Sequence, residues 1–232
     1  MKAGIIAAGD GSRLKSEGVA VLKPLVRVGG MPLIERLLRS FKRCGISDVV
    51  CIINEQSLEV RRYVETLELD FPVQFVVQTT PSSMHSLFAL SPFLAGGKFL
   101  LSTVDSVFDE GEFSAFIREA EQNTGADGIL GITDFIDDEN PLYVQLDASG
   151  RIQSFSKSGK TPWITGGIYV FSPSIFREID AVLGQGIERL RKFLGYLVEH
   201  EYHLEAYRFS KIVDVDHVGD IQTAESLLRG RA

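Results

Sequence analysis

Short apolar runs alternate with longer amphipathic stretches through the first half of the chain. KAGIIAA (2–8), DVVCIIN (48–54), PVQFVVQ (72–78), KFLLSTVD (98–105) and ADGILGIT (126–133) read as strands. Continuous apolar runs of this length, bounded by turn residues, suit strands covered on both faces. Between the first two, PLIERLLRSFKRCG (32–45) repeats its apolar residues at helical spacing, with proline at its start and glycine at its end. Further helices are expected over about 57–68, 83–94 and 112–123. Alternation of this kind predicts an α/β fold: a mostly parallel mixed sheet, Rossmann-like, flanked by helices and joined by right-handed crossovers.

After residue 133 the pattern changes. YVQLDASGRIQSFS (143–156) reads as a hairpin turning over 147–150, and TGGIYVF (165–171) as another strand. Helices are expected from about 174 and about 186, then strands HLEAYRF (203–209) and KIVDV (211–215), then a closing helix over about 220–229 with Asp220 as its N-cap. No linker rich in Pro, Gly or Ser, no repeat and no low-complexity stretch interrupts the chain. One domain over 1–232 is therefore expected, with about 1–132 and about 133–232 as its two halves.

Composition narrows the class. The chain is 44% hydrophobic and 24% charged, as in ordinary globular proteins. No apolar stretch approaches the roughly 20 residues of a membrane helix. The opening MKAGIIAAG runs into a glycine loop without a cleavage site, so it reads as a strand and not as a secretion signal. Cys44 and Cys51 are too few for a disulfide framework or a zinc site, and suit small buried hydrophobes in a reducing cytoplasm, the expected location. A net charge of −7 argues against nucleic acid as a partner. Yet residues 1–43 hold nine Lys or Arg against three acidic residues, a local +6 that leaves −13 for the rest. Arg36, Arg39 and Arg43 recur at helical spacing and belong to a wet helix face. Arg13, Lys15 and Lys23 lie in a predicted loop, and a local positive site in an acidic protein suits a small anionic ligand.

That loop is AGIIAAGDGSRL (3–14). It fails the dinucleotide fingerprint, because Leu14 stands where the third glycine belongs. It fails the Walker motif too: Gly4 and Gly9 have the spacing, but Asp10 and Gly11 replace Lys and Ser/Thr. Glycines at 9 and 11 would let backbone N–H groups approach phosphate oxygens, while Arg13 and Lys23 would bring two cations to a polyphosphate. Pro24 stiffens the backbone after Lys23.

Together, AAGDGSRL, LKPL (22–25) and VGGMPLIERLL resemble the sugar-phosphate nucleotidyltransferases, the NTP-transferase family that makes nucleotide sugars and activated alcohol phosphates. The resemblance extends with weakening fidelity over essentially the whole chain. It implies the nucleotide-diphospho-sugar transferase (GT-A-like) fold and a nucleotide cradle of Ala8, Gly9, Gly11 and Ser12, with Arg13 and Lys23 as the catalytic cations. In FVVQTTPSSMHSLFAL, Gln78 matches the family's base-contacting glutamine. Ser82, Ser83, Met84 and His85 replace its Gly-Thr-Ala, with Ser83 in the nucleotide-binding position. This departure resembles the phosphocholine cytidylyltransferase branch; for Met84 and His85, helix-start packing is an equal alternative.

LLSTVDS places Asp105 on the family's metal-binding aspartate, with Val104 replacing a glycine. In IQSFSKSGKTPWITGGIYVFSP, Lys157 matches the lysine expected on the acceptor phosphate and Gly167 the glycine under the sugar. There Ser156 replaces Glu and Thr165 replaces Asn, while Trp163 and Tyr169 read as core. IVDVDHVGDIQTAESLL matches the family's closing segment, so Asp214 and Asp216 are both candidate metal ligands.

The resemblance implies Mg²⁺ as cofactor. The reaction it implies joins a nucleoside triphosphate to a sugar 1-phosphate and releases pyrophosphate. Neither nucleic acid nor membrane is an expected partner, and a homo-oligomer is left open. Alternatives are a CTP-dependent enzyme for an alcohol phosphate such as phosphocholine, and a non-catalytic relative that binds a nucleotide sugar. A glycosyltransferase of related fold fits less well, because its Asp-x-Asp normally sits mid-chain.

Overall fold

A computed structural model of the protein describes residues 1–137, 139–159 and 161–230. The first half contains β1 (Lys2–Ile6), α1 (Ser12–Ser16), β2 (Arg27–Val28), β3 (Met31–Pro32), α2 (Leu33–Arg43), β4 (Asp48–Ile53), α3 (Leu58–Glu65), β5 (Val73–Val77), α4 (Ser83–Leu94), β6 (Phe99–Thr103), β7 (Ser106–Phe108), α5 (Glu110–Gln122) and β8 (Gly128–Thr133). The second contains β9 (Tyr143–Leu146), β10 (Ile152–Ser156), β11 (Ile164–Phe171), α6 (Ile179–Gly184), α7 (Leu190–Glu199), β12 (Leu204–Arg208), β13 (Ile212–Asp214) and α8 (Val218–Arg229).

The strands assemble as the apolar runs require. β1 lies mid-sheet, parallel to β4 on one side and β6 on the other, with β5 parallel to β4 beyond. β11 runs antiparallel between β6 and β8, and β12 closes that edge parallel to β8. The β9–β10 hairpin joins where Tyr143 pairs with Ile164 of β11. The fold is thus a mixed α/β single domain around a mostly parallel central sheet.

Because successive strand residues face opposite sides, the sheet divides its apolar side chains between two cores. Ala3, Ile5, Val49, Cys51 and Leu100 meet Leu38, Phe41, Val60, Phe113 and Phe116 from α2, α3 and α5. Ile6, Val50, Ile52, Phe99 and Leu101 meet Leu87, Leu90, Val182, Phe193 and Leu197 from α4, α6 and α7. A third, smaller core lies off the sheet and gathers Leu14, Val26, Val28, Leu33, Val107, Val213, Val215 and Ala224. It is built from two short ribbons, β2–β3 and β7–β13, together with α8.

Four features depart from expectation. α1, the β2–β3 ribbon and β7 are too short to show a period. α5 starts at Glu110, because the Asp109 carboxylate caps it by accepting the Glu112 N–H at 2.9 Å. The segment from Pro173 is a 3₁₀ helix (Pro173–Glu178) before α6, with Ser172 as its cap. Asp220 is not the N-cap of the last helix: α8 starts two residues earlier, and the Asp220 carboxylate reaches back to the N–H groups of Asp216 (2.8 Å) and His217 (2.6 Å).

Leu14 is 1% exposed within the third core. Leu14→Ala is expected to cost about 2–5 kcal/mol of folding stability, measured by chemical denaturation; a loss below half a kcal/mol would show that this core does not anchor the loop.

Candidate active site

The site forms where β1 and β6 end. Past β1 the chain stays in register for one residue, with Ala7 N–H donating to the Ile52 carbonyl at 2.9 Å. The next carbonyl, of Ala8, accepts from Nδ2 of Asn54 at 3.1 Å, and Asn54 is itself buried. The glycine loop is therefore pinned at its root. A Cβ on Gly9 would meet no protein atom within 4 Å, so the space beside it is open cleft. Gly11 is required by the fold: its φ is 59°, and a Cβ there would stand 3.0 Å from Cβ of Lys23. The single turn of α1 then sends Leu14 into the third core and leaves Arg13 beside the cleft.

Lys23 opens a 3₁₀ turn (Lys23–Leu25) with proline directly after it. Its side chain is only 9% exposed, and its ammonium donates to the Asp105 carboxylate and to Oδ1 of Asp216 at 2.6 Å. Arg13 Nη1 donates to the other oxygen of Asp216 at 2.5 Å. Asp214 and Asp216 flank Val215, which is fully buried in the third core, so the alternation puts both carboxylates on the opposite side. Val215 N–H donates to the Asp105 carbonyl at 3.1 Å, which ties this strand to the end of β6.

A chain of hydroxyls completes the floor. Thr103 Oγ1 and Ser106 Oγ lie 2.9 Å apart, and Ser106 Oγ donates to Asp214 Oδ1 at 2.9 Å. Gly167 makes room for them. A Cβ there would fall 2.4 Å from Ser106 Oγ and 2.5 Å from Thr103 Oγ1, and its φ of 73° is already the left-handed region.

Burial alone would discharge these groups; their pairing decides otherwise. Burial pulls Lys23 down, but the charges of Asp105 and Asp216 overcome it and hold the ammonium above its usual range. Burial pushes Asp105 up, but the Lys23 charge and hydrogen bond keep it below the usual carboxylate range. Among the described residues Asp214 forms no ion pair and takes its hydrogen bond from the Ser106 hydroxyl. Burial first, then the charge of Asp105, raises it to about 7.

The space above these groups is an open cleft of about 840 Å³, and a second chamber of about 620 Å³ adjoins it. Of the residues expected from sequence, Gly9, Gly11, Ser12, Arg13, Lys23, Ser83, Asp105 and Asp216 line the cleft, while Gly167 and Asp214 line the chamber. Ala8 sits beside the cleft on its bond to Asn54. Two expected residues lie apart. Gln78 is exposed at the end of β5, where its N–H donates to the Ile53 carbonyl at 2.9 Å, and it lines neither space. Lys157, at the end of the β9–β10 hairpin, lines a further cavity that meets the chamber only through Leu142 and Arg191.

Met84 is fully buried, which resolves its alternatives toward packing. His85 Nδ1 lies 3.0 Å from Ser82 Oγ, whose hydroxyl also reaches the Glu188 carbonyl. Sequence reasoning assigned Tyr169 wholly to the core. It is buried, yet it lines the chamber with Thr165 and Gly167 at alternate positions of β11, a period that could have revealed it. Asn54, Thr103, Ser106 and Arg191 carried no spacing signal.

The family model for nucleotidyl transferases matches residues 2–229. A glucose-1-phosphate thymidylyltransferase of Actinoplanes sp. is 26% identical over 181 residues, covering 75% of this chain and 59% of the relative. A probable mannose-1-phosphate guanylyltransferase of Oryza sativa is 28% identical over 193 residues, covering 78% and 52%. The chain thus spans between half and three-fifths of the length of these curated relatives. Among solved structures, the inositol-1-phosphate CTP transferase from T. maritima superposes with a TM-score of 0.83 at 20% identity, covering 100% of this chain and 97% of that one. A putative glucose-1-phosphate thymidylyltransferase from Bacillus anthracis superposes with 0.86, also at 20% identity, covering 100% and 96%. These structural likenesses show the fold.

The geometry at Gly167 yields a test. Gly167→Ala combines a disfavoured φ with contacts no Cβ tolerates, and is expected to cost about 1–3 kcal/mol or more of stability in denaturant titration. A neutral substitution would mean that β11 relaxes freely at this point.

Proposed function

This chain belongs to the nucleotidyl transferase family, and from that premise we propose that it joins a nucleoside triphosphate to a sugar 1-phosphate, giving a nucleotide sugar and pyrophosphate. One observation carries the reading. Two cations, Lys23 and Arg13, are held by carboxylates at the rim of a glycine loop that leaves open space at Gly9. The relatives named above, which act on glucose 1-phosphate and mannose 1-phosphate by name, support the substrate class.

In this reaction an acceptor phosphate oxygen attacks the α-phosphorus, and the bond to the bridging β-oxygen breaks in line. The protein has little covalent chemistry to perform, so its work is positioning and charge neutralisation. Backbone N–H groups of Gly9, Gly11 and Ser12 would cradle phosphates. Lys23 and Arg13 would neutralise the triphosphate and the leaving pyrophosphate. Ser83, at the cleft edge, would meet the base side, while Gly167 in the chamber and Lys157 beyond it would belong to the acceptor.

Asp105 and Asp216 already share one ammonium, so their oxygens are close enough to share a cation. Among the described residues no cluster of three or more His, Cys, Asp or Glu forms a metal site. That donor set fits Mg²⁺, which takes one or two carboxylates and completes its octahedron with waters and substrate phosphates. When bound, the ion would supply positive charge to the reacting phosphates. Asp214 is the alternative second ligand. No helix among the described residues is long and apolar enough to cross a membrane, and a cytoplasmic setting is part of this proposal.

A second reading, CTP with an alcohol phosphate, is favoured by the altered loop, in which the Ser82 hydroxyl bonds the Glu188 carbonyl across 106 residues of sequence. Both readings are tested by pyrophosphate release with Mg²⁺, crossing the common nucleoside triphosphates against sugar 1-phosphates, inositol 1-phosphate and phosphocholine. Release that needs one triphosphate and one acceptor together is expected; silence across the panel, with nucleotide still raising the melting temperature, would leave a binding protein.

Lys23→Gln and Asp105→Asn are each expected to lower turnover by about 10²- to 10³-fold in folded protein. Near-wild-type turnover in either variant would remove that residue from the mechanism.

A further inference from the structure

Outward of the acceptor chamber lies the third space, a cavity of about 1400 Å³ between β10, the loop after α6 and α7. Arg191 and Leu142 border both, so the two spaces adjoin. The wall carries four cations, Lys157, Arg189, Arg191 and Lys192, against two carboxylates, Glu188 and Glu199. This excess of positive charge occurs in a chain whose net charge is −7. Among the described residues Lys157, Arg189 and Lys192 form no ion pair, and Arg191 donates to the Asn140 carbonyl at 3.1 Å.

Helix stability does not account for these charges. Arg189 is the N-cap of α7, Arg191 and Lys192 lie in its first turn, and no acidic residue accompanies them there. Cations at that end oppose the helix dipole. The helix is held instead by Leu190, Phe193, Leu194 and Leu197, all buried, which leaves the charged residues free for another task. Phe155, Ile187 and Tyr196 add apolar wall between the cations.

Resting on the function proposed above, we infer that the acceptor is a sugar 1-phosphate bearing a second anionic group, a phosphate or a carboxylate, remote from its anomeric phosphate. The second anion occupies the outer cavity among Lys157, Arg189 and Lys192. Arg191, which borders both spaces and lines the chamber with Tyr169, holds the acceptor between them. This assignment also gives Lys157 a task suited to its place outside the chamber.

The test is calorimetric binding of glucose 1-phosphate, glucose 1,6-bisphosphate and glucuronic acid 1-phosphate to the full chain. At least one doubly anionic sugar is expected to bind about tenfold more tightly than glucose 1-phosphate, and the tighter of the two identifies the second anion as phosphate or carboxylate. In the Arg189→Ala/Lys192→Ala double variant that ratio is expected to fall toward one. Arg62→Ala, which removes an exposed cation on α3, should leave the ratio unchanged. Equal affinities, no binding of any of the three sugars, or a ratio that survives in the double variant would overturn the inference. Pyrophosphate release is read separately: turnover with equal kcat/KM for singly and doubly anionic acceptors strikes the second subsite alone, whereas preferential binding without turnover strikes the transfer reaction alone.

Discussion

One buried ammonium organises the candidate site. Lys23 sits between Asp105 and Asp216, partners 82 and 193 residues away in sequence, and so binds the glycine-loop segment to the end of β6 and to the strand before α8. Desolvating such a group costs several kcal/mol, and an apolar cluster of equal volume would serve stability as well or better. The triad is therefore better explained by what it can do than by what it holds together. It keeps a cation charged and aimed at an open cleft, where water would otherwise scatter a long side chain over many rotamers.

The third core makes that arrangement possible. Each segment that delivers a charge also delivers an apolar neighbour to the opposite side: Arg13 with Leu14, Lys23 with Val26, Asp214 and Asp216 with Val215. Packing fixes the backbone, and the alternation of side chains then aims the polar groups. Asp220 adds the last constraint by holding the N–H groups of Asp216 and His217 at the start of α8. The charged site is thus a by-product of where a small hydrophobic cluster can close.

How much of this was legible in the sequence follows from the length scale of each signal. The strands of the central sheet were readable because five or six apolar residues span more than two strand periods. The two residues of β2 and the three of β7 span at most one and a half periods, and the partner of β7 lies far along the chain in β13. The loop residues were readable from fixed spacing within one segment. Arg191 and Ser106 were not: Ser106 lies on the short β7, whose partner is β13, and Arg191 comes from α7, so each meets the site through tertiary packing without local trace. Gln78 and Lys157 show the converse, a matched segment position whose side chain the fold sets outside the main cleft. Asp220 was misplaced by three positions for a local reason: an acidic residue at N3 and one at the N-cap look alike in sequence.

Charge balance in the free site bears on how a polyphosphate would be received. Asp105 and Asp216 against Lys23 and Arg13 leave the centre close to neutral, with Asp214 raised to about 7 as a further, partly protonated carboxylate. A triphosphate entering alone would bring several negative charges toward carboxylates that already occupy both cations. It can settle only if it displaces Asp216 from Arg13 or if positive charge arrives with it. The exposed Arg13 pair is the cheaper of the two contacts to break, since it is the more solvated, whereas Lys23 is nearly sealed from water. On this view Arg13 exchanges partners as substrate enters and Lys23 stays in place, which would leave one oxygen of Asp216 free to help hold a divalent cation whose positive charge offsets the negative charge of the phosphates.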